Sequence, residues 1–486
     1  MVGFLKILFV SHEVSPFAKV GGLADVAGSL PKALKALGHD VRILMPGYRM
    51  VREDPRWAAR PIISSFEVAI NPVWSVEASA DETALEGIPV YLLRAGDWFD
   101  GTVSSETVYL PGEDQHIAFG RAALELCRRL DWIPEVVHSH DWHTGLIPVF
   151  MREGGDPVWD SVGSVHTIHN LAYQGVFPPD TTVKAGLPWE LFEMNRLETW
   201  GHFNFLKNGC IYADRTNTVS PTYAKEIQTA EFGCTLDGVM RHLESEGRLS
   251  GILNGIDLEE FDPATDPRLP KNYALGDLAG KAACRKALLK ELGWTKEPKV
   301  PIAGVVTRLS QQKGLDLVVA AAEKLASLPM RIVVLGVGEA WIADRLEGLQ
   351  REFPERIRFV KKFDLDLAQR IYGGSDLFLM PSAFEPCGLG QLFAMRYGTI
   401  PIARKTGGLA DTIRDGETGF LFEDRSTEAF LEACRRAVSA FGAGNWEDWV
   451  RRAMAEEFGW ERSAKAYESL YQDALAARKS KRPAKK

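Results

Sequence analysis

The chain has 486 residues, 45% hydrophobic and 25% charged, an ordinary globular usage that excludes wholesale disorder and leaves room for about three domains or two large α/β units. Its net charge of −8 hides an asymmetry: six of the 57 cations and none of the 65 acids lie from Arg478 onward, leaving −14 on residues 1–477. An acidic body excludes a non-specific nucleic-acid binder, whose affinity depends on phosphate neutralisation, while the basic tail 478–486 reads as a frayed solubilising end rather than a contact for an anionic partner.

The opening Met1–Val10 is apolar, but it carries Lys6 and meets His12 and Glu13 instead of a small-residue cleavage site. It reads as a first buried strand and not as a signal peptide. No apolar run approaches the roughly 18 residues of a membrane span, so the expectation is a soluble cytoplasmic protein without a membrane partner. Short apolar runs at Lys6–Val10, Val41–Met45, Val90–Leu93, Val136–His140, Ser164–His169 and Arg215–Val219 look like strands of a buried parallel sheet. Between the first two, Leu23, Val26, Ala27, Leu30, Leu34 and Leu37 share a helical face; Pro31 should break or kink that helix and Gly38 suits its C-terminal cap. Residues 255–300, rich in Asp, Pro, Gly and Lys, read as a boundary region. The alternation resumes with Ile302–Val306, Arg331–Leu335, Ile357–Val360, Asp376–Met380 and Thr399–Ile402, and Ser463–Ala477 is a closing helix. This succession predicts α/β architecture with a doubly wound parallel sheet in each half. The six cysteines (127, 210, 234, 284, 387, 434) lack CxxC spacing and suggest neither a disulfide framework nor a zinc site.

One heptapeptide occurs twice. Lys19-Val-Gly-Gly-Leu-Ala-Asp25 returns as Lys405-Thr-Gly-Gly-Leu-Ala-Asp411, with six of seven residues identical. Each copy sits where a glycine turn opens a helix. Paired glycines allow close backbone approach, and a helix start offers free N–H groups to an anion. Two such turns, each beside a lysine, favour anionic-ligand loops over a reused tight turn. Two similar halves facing a shared cleft is the simplest architecture they imply.

All ten histidines lie at or before His242, so histidine chemistry belongs to the first half. His138-Ser-His-Asp-Trp-His143 resembles a metal motif, but Trp142 stands where the metallo-hydrolase pattern needs Asp, and no metal is expected. Asp141 instead falls at a strand's carboxyl end, as do His169 and Asn170, where open α/β sheets build ligand crevices. In the second half Arg308 and Lys313 follow the strand Ile302–Val306 on a loop entering a helix, a spacing that suits a diphosphate. Glu385-Pro-Cys387-Gly388-Leu389-Gly-Gln391 follows the next sheet strand but two and offers a hydroxyl acceptor beside backbone N–H groups; Cys387 reads as a packing or substrate contact rather than a nucleophile. A nicotinamide dehydrogenase is disfavoured because Trp341 replaces the third glycine of Gly336-Val-Gly338, and no P-loop motif occurs.

Lys19–Asp25, His169-Asn-Leu-Ala-Tyr-Gln-Gly175, Asn254-Gly-Ile-Asp257, Arg308…Lys313-Gly314, Glu385-Pro-Cys-Gly-Leu389 and Thr406-Gly-Gly-Leu-Ala-Asp411 together resemble the bacterial glycogen synthase and plant starch synthase family, in its order, over residues 6 to about 470. The resemblance implies a GT-B glycosyltransferase: two Rossmann-like doubly wound domains facing an interdomain cleft. Residues 1–250, completed by a helix at about 460–477, would form the acceptor side, and residues 251–459 the nucleotide-sugar-binding domain. It implies glucose transfer, with retention and no metal or other cofactor, from ADP-glucose (UDP-glucose being the alternative donor) to the non-reducing end of an α-1,4-glucan such as glycogen. By position, Arg308 and Lys313 would hold the diphosphate, with Lys19, Gly21, Gly22 and Asp25 on the opposing loop. His169 and Asn170 would contact the donor glucose, Asp141 the reacting centre and Glu385 the glucose hydroxyls. Asn254, Cys387, Gly388, Leu389, Thr406, Gly407 and Gly408 would line the substrate. Two departures stand: many retaining relatives carry a second Glu where this chain has Phe393, and Asp97–Tyr109 only loosely matches the family's aromatic loop. Two rivals are a sucrose- or trehalose-type glucosyltransferase, and a non-catalytic glucan- or nucleotide-binding scaffold.

Overall fold

The computed structural model describes residues 3–294 and 299–481. The chain divides into two compact units: one takes the residues up to Val219, Ala224–Gly255 and those from Trp460 onward, the other Ser220–Tyr223 and Ile256–Gly459.

The first unit is built on a nine-stranded sheet whose spatial order is Leu249–Gly251, Arg215–Thr218, Gly163–Ile168, Val136–His140, Lys6–Val10, Asp40–Pro46, Ile88–Ala95, Trp74–Leu85 and Arg60–Asn71. The chain starts in the middle, at Lys6–Val10, and builds toward one edge. It then crosses back to lay Val136–His140 on the other flank, with Ile7 opposite both Val41 and Val136. The sheet is not purely parallel. Arg60–Asn71 and Trp74–Leu85 pair antiparallel with each other, and the second pairs antiparallel with Ile88–Ala95. These two strands alternate buried with exposed residues (Phe66, Val68 and Ile70 inward), the signature of a sheet with one wet face. A search for continuous apolar runs passes over it.

The first helix, Gly22–Ala36, runs through Pro31 without interruption. The proline removes one hydrogen bond, but the helix buries Leu23, Val26, Ala27, Leu30 and Leu34 against the sheet, and that packing outweighs the loss. It ends as expected at Gly38: with φ at +97°, Gly38 N–H donates to Lys35 O at 2.9 Å and His39 N–H to Leu34 O at 3.3 Å, a Schellman cap.

The last helix, Glu461–Lys481, closes the first unit. It inserts Ala464, Tyr467, Leu470, Tyr471 and Ala474 into the core. The Tyr471 hydroxyl lies 2.9 Å from His138 Nδ1, and Asn217 Nδ2 donates to Tyr467 OH at 3.1 Å. The helix runs on past Ala477, which corrects the expectation of a frayed end at Arg478. That guanidinium donates to Asp160 O and lies 3.6 Å from the buried Asp214 carboxylate, which Arg152 also binds at 2.8 Å. A buried carboxylate needs such partners. Residues 482–486 of the tail lie outside the described residues.

The second unit carries a six-stranded, wholly parallel sheet in the order Ile357–Val360, Arg331–Leu335, Ile302–Val306, Leu377–Met380, Ile400–Arg404, Phe420–Phe422. Numbered along the chain this is 3-2-1-4-5-6, the doubly wound Rossmann order. Residues 256–294 are no linker: Phe261, Leu269 and Tyr273 are buried, and the helix Ala279–Glu291 packs Cys284 and Leu288 into the same core. Its polar composition is spent on turns, such as the Asp257 and Asp262 side chains that accept from backbone N–H groups two or three residues on.

Because Tyr471 fills the core and caps a buried histidine, Tyr471→Ala should destabilise the first unit by about 3–5 kcal/mol, and Tyr471→Phe by about 1–3 kcal/mol through the unpaired His138 nitrogen. Denaturant titration of the full chain checks both; an unchanged midpoint for Tyr471→Ala would remove the last helix from the stability of this unit.

Candidate functional site

In each unit the polar groups gather where the sheet reverses its winding. In open α/β sheets that is where ligand crevices form, at the carboxyl ends of the strands.

In the first unit the reversal falls between Lys6–Val10 and Val136–His140. The adjacent strands Lys6–Val10, Val136–His140 and Gly163–Ile168 end in Glu13, Asp141 and His169. Asp141 has φ at +53°, a conformation unusual for a residue with a side chain and kept only where the surroundings hold it. Its Oδ1 accepts the His169 N–H at 2.7 Å, and the Asn170 N–H also bonds to the carboxylate. Desolvation nevertheless outweighs these bonds and raises the carboxyl to about 7. Asn170 Oδ1 accepts the Ala172 N–H at 3.0 Å, holding the turn that follows. His169 Nε2 lies 3.0 Å from His140 Nδ1. Burial lowers His169 to about 3 and pushes His138, His140, His12 and His143 well down, so these rings are neutral near pH 7. His138 and His140 belong to the core of this unit: His138 Nε2 lies 2.6 Å from Thr167 Oγ1.

The first glycine turn is already occupied. The N–H groups of Val20 and Gly21 each donate to Glu13 Oε2 at 2.7 Å, and the Tyr109 hydroxyl donates to Glu13 Oε1. Glu13 is buried, and desolvation raises its pKa against those three hydrogen bonds. Lys19 Nζ pairs with Asp25 at 2.5 Å, while Gly22 opens the helix at an exposed position. Val20 and Gly21 therefore bind a carboxylate of their own unit, which corrects the expectation of an open anion loop. Asn254 is buried, and its Oδ1 meets no partner among the described residues.

In the second unit the reversal lies between Ile302–Val306 and Leu377–Met380. Lys313 follows the first of these strands and Glu385 the second, and the structure brings them together: Lys313 Nζ donates to both Glu385 oxygens at 2.8 and 2.7 Å, and Ser382 Oγ donates to Glu385 Oε2 at 3.0 Å. Gly314, at φ +72°, lets the Lys313 loop press against Pro381, whose carbonyl oxygen would lie 2.0 Å from a Cβ at that position. Arg308 is not drawn into this cluster. It is exposed and makes no hydrogen bond or ion pair among the described residues.

The second glycine turn follows Ile400–Arg404. Gly407 has φ at +45°, and an added Cβ would meet Glu385 O at 1.9 Å. The Gly408 N–H donates to Glu385 O at 3.1 Å and Pro386 O at 3.2 Å, so this turn, too, spends an amide within its own unit. Asp411 accepts from Thr222 N–H at 2.9 Å and Thr222 Oγ1 at 2.6 Å. Thr406, Cys387 and Gly388 are fixed around the same turn, with Gln391 Nε2 donating to the carbonyls of Cys387 and Gly388 at 3.0 and 2.9 Å; Leu389 precedes the helix Gly390–Arg396. Sequence reasoning passed over Glu13 and weighed His140 only as part of a metal motif. Glu13 carried a usable signal, since it follows a central strand as Asp141 does; His140 carried none, because its role depends on a contact with another strand's end.

Against this geometry stand the comparisons with known proteins. The chain matches the family model of the starch synthase catalytic domain over residues 6–242 and that of glycosyl transferases group 1 over residues 291–440. It is 43% identical to the glycogen synthase of Anaeromyxobacter sp. (strain Fw109-5), covering 97% of this chain and 100% of that one. It is 42% identical to the glycogen synthase of Thermotoga maritima, covering 97% and 99%. Among solved structures it resembles the catalytic domain of starch synthase IV from Arabidopsis thaliana bound to ADP and acarbose, with TM-score 0.90, 33% identity and coverage of 98% and 100%. Sucrose-phosphate synthase from Thermosynechococcus elongatus, at TM-score 0.60 and 21% identity over 97% and 99%, shares the GT-B fold.

The raised Asp141 carboxyl sets a pH dependence. Between the unfolded value of 3.8 and the folded value of about 7 the native state holds the proton that the unfolded chain releases, so stability from this group falls as pH rises through that window and is constant above it. Asp141→Asn should be stabilised relative to wild type at pH 8 more than at pH 4, as measured by denaturant midpoints. A pH-independent difference would show that Asp141 titrates normally.

Proposed function

From the membership of this chain in the glycogen synthase family of glycosyltransferases, we propose that it is a cytoplasmic glucan-elongating enzyme. It transfers glucose from ADP-glucose, with UDP-glucose as the alternative donor, to the non-reducing end of an α-1,4-glucan with retention of configuration. Residues 1–250 with the last helix form the acceptor side in this reading, and residues 251–459 bind the nucleotide sugar.

The observation that carries it is the cluster at the second unit's winding reversal: a carboxylate clasped by Lys313, with the unpaired Arg308 on the same loop. Breaking the bond from the anomeric carbon to a diphosphate gathers negative charge on the leaving oxygens and positive charge on the sugar. Fixed cations stabilise the first; Arg308 and Lys313 supply them. Glu385, held by Lys313, accepts hydrogen bonds from glucose hydroxyls, with Cys387, Gly388, Leu389 and the Thr406–Gly408 turn forming its walls. His169 and Asn170 meet the donor glucose from the first unit, Asp141 holds their backbone in place beside the reacting centre, and the unpartnered Asn254 oxygen offers a further acceptor. Since Glu13 holds the amides of Val20 and Gly21, Lys19 and Gly22 rather than the whole turn are left to meet the phosphates. The acceptor hydroxyl attacks on the face from which the diphosphate departs, and a phosphate oxygen takes its proton.

The test is to offer ADP-glucose and UDP-glucose with glycogen and follow chain elongation. Incorporation from ADP-glucose is expected, and none from either donor would sink the assignment. Lys313→Ala should lower turnover about 10²–10³-fold while the protein stays folded by circular dichroism; equal losses of fold and activity would return Lys313 to a structural role.

A further inference from the structure

His140 lies wholly within the core of the first unit, one residue before Asp141. Its backbone is fastened from both sides: its N–H donates to Thr144 Oγ1 at 2.6 Å, and that hydroxyl donates back to His140 O at 2.8 Å. Its ring is wedged between Phe9 and His138, with centroids 4.2 and 4.1 Å away. In that slot Nδ1 lies 3.0 Å from His169 Nε2, the one hydrogen-bonding partner its ring meets, and Nε2 meets no partner among the described residues.

Burial keeps both rings neutral near pH 7. Each then carries one proton, and across the 3.0 Å contact one ring must donate and the other accept. A proton on His140 Nε2 would be a buried donor facing no acceptor, the costlier kind of orphan; a lone pair there is tolerated better. The proton accordingly sits on His140 Nδ1 and is donated to His169 Nε2. That bond uses the only lone pair of His169 and leaves its proton on Nδ1.

We infer that His140 is a positioning residue that locks His169 in the Nδ1–H tautomer, so that His169 meets the sugar as a hydrogen-bond donor and cannot act as a base. This rests on the reading above that His169 contacts the donor glucose. It assigns His169 to holding a substrate oxygen, and leaves proton removal to another group. The His138 ring, bonded through Thr167 Oγ1 and Tyr471 OH, buttresses His140 from behind.

The direct test is long-range ¹H–¹⁵N NMR of the full-length protein with ¹⁵N-labelled histidine, which reads each ring's tautomer without any substrate. The expected spectrum has His169 protonated at Nδ1 with a hydrogen-bonded Nε2; a His169 ring protonated at Nε2 would overturn the inference. It also separates this claim from the glucosyl-transfer reading, because it is decided whether or not any donor is turned over. Two variants add a kinetic arm. His140→Leu removes the donor and should mix the His169 tautomers and lower kcat about 10- to 100-fold with a smaller change in the acceptor KM. His140→Asn, whose amide N–H replaces the ring Nδ1–H, should restore most of the loss. A His140→Leu protein that keeps both the tautomer and kcat would also overturn it.

Discussion

The ion pair between Lys313 and Glu385 governs the second unit's site. A lysine clasped by both oxygens of a buried carboxylate is stable only because each charge cancels the other's desolvation, and Ser382 holds the arrangement in place. The pair welds the segments that follow the two strands flanking the winding reversal, and it sets a cation and a carboxylate side by side at one spot. Around it the chain is packed so closely that Gly314 and Gly407 admit no side chain without meeting a backbone oxygen. Overall charge could not have done this. At −8 the protein repels anions at long range, so the nucleotide sugar of the proposed reaction would have to be recognised locally.

The first unit obeys the same constraint with different chemistry. Its strand ends are drier, and there the charges are mostly given up: the histidines are neutral, Asp141 titrates near 7, and Glu13 keeps an anion's place only by collecting two amides and a tyrosine hydroxyl. The repeated Gly-Gly-Leu-Ala-Asp turn shows how context redirects one sequence. Its first copy closes on the Glu13 carboxylate, and its second on the carbonyls of Glu385 and Pro386. In both, the turn is a clasp within its unit.

Much of this was legible beforehand because parallel strands in a buried sheet must be continuous apolar runs, and their carboxyl ends must carry the ligand groups. The strand-end positions of Asp141, His169, Lys313 and Glu385 were read in that way. What escaped depended on contacts distant in sequence. The antiparallel hairpin 60–85 alternates too gently to read as a buried strand; Pro31 is carried by packing that a local rule does not weigh. Arg478 looked like a loose end because Asp214, its partner, is more than two hundred residues away. The contact of His140 with His169 was not legible until the strands that hold them were placed side by side.

The central claim is that Lys313 is shared between Glu385 and a diphosphate. Calorimetric titration of ADP into wild type and Glu385→Gln tests it most directly. With the competing carboxylate neutralised, Lys313 should bind ADP more tightly even as glucose transfer is lost. Weaker or unchanged ADP binding in Glu385→Gln would contradict the account.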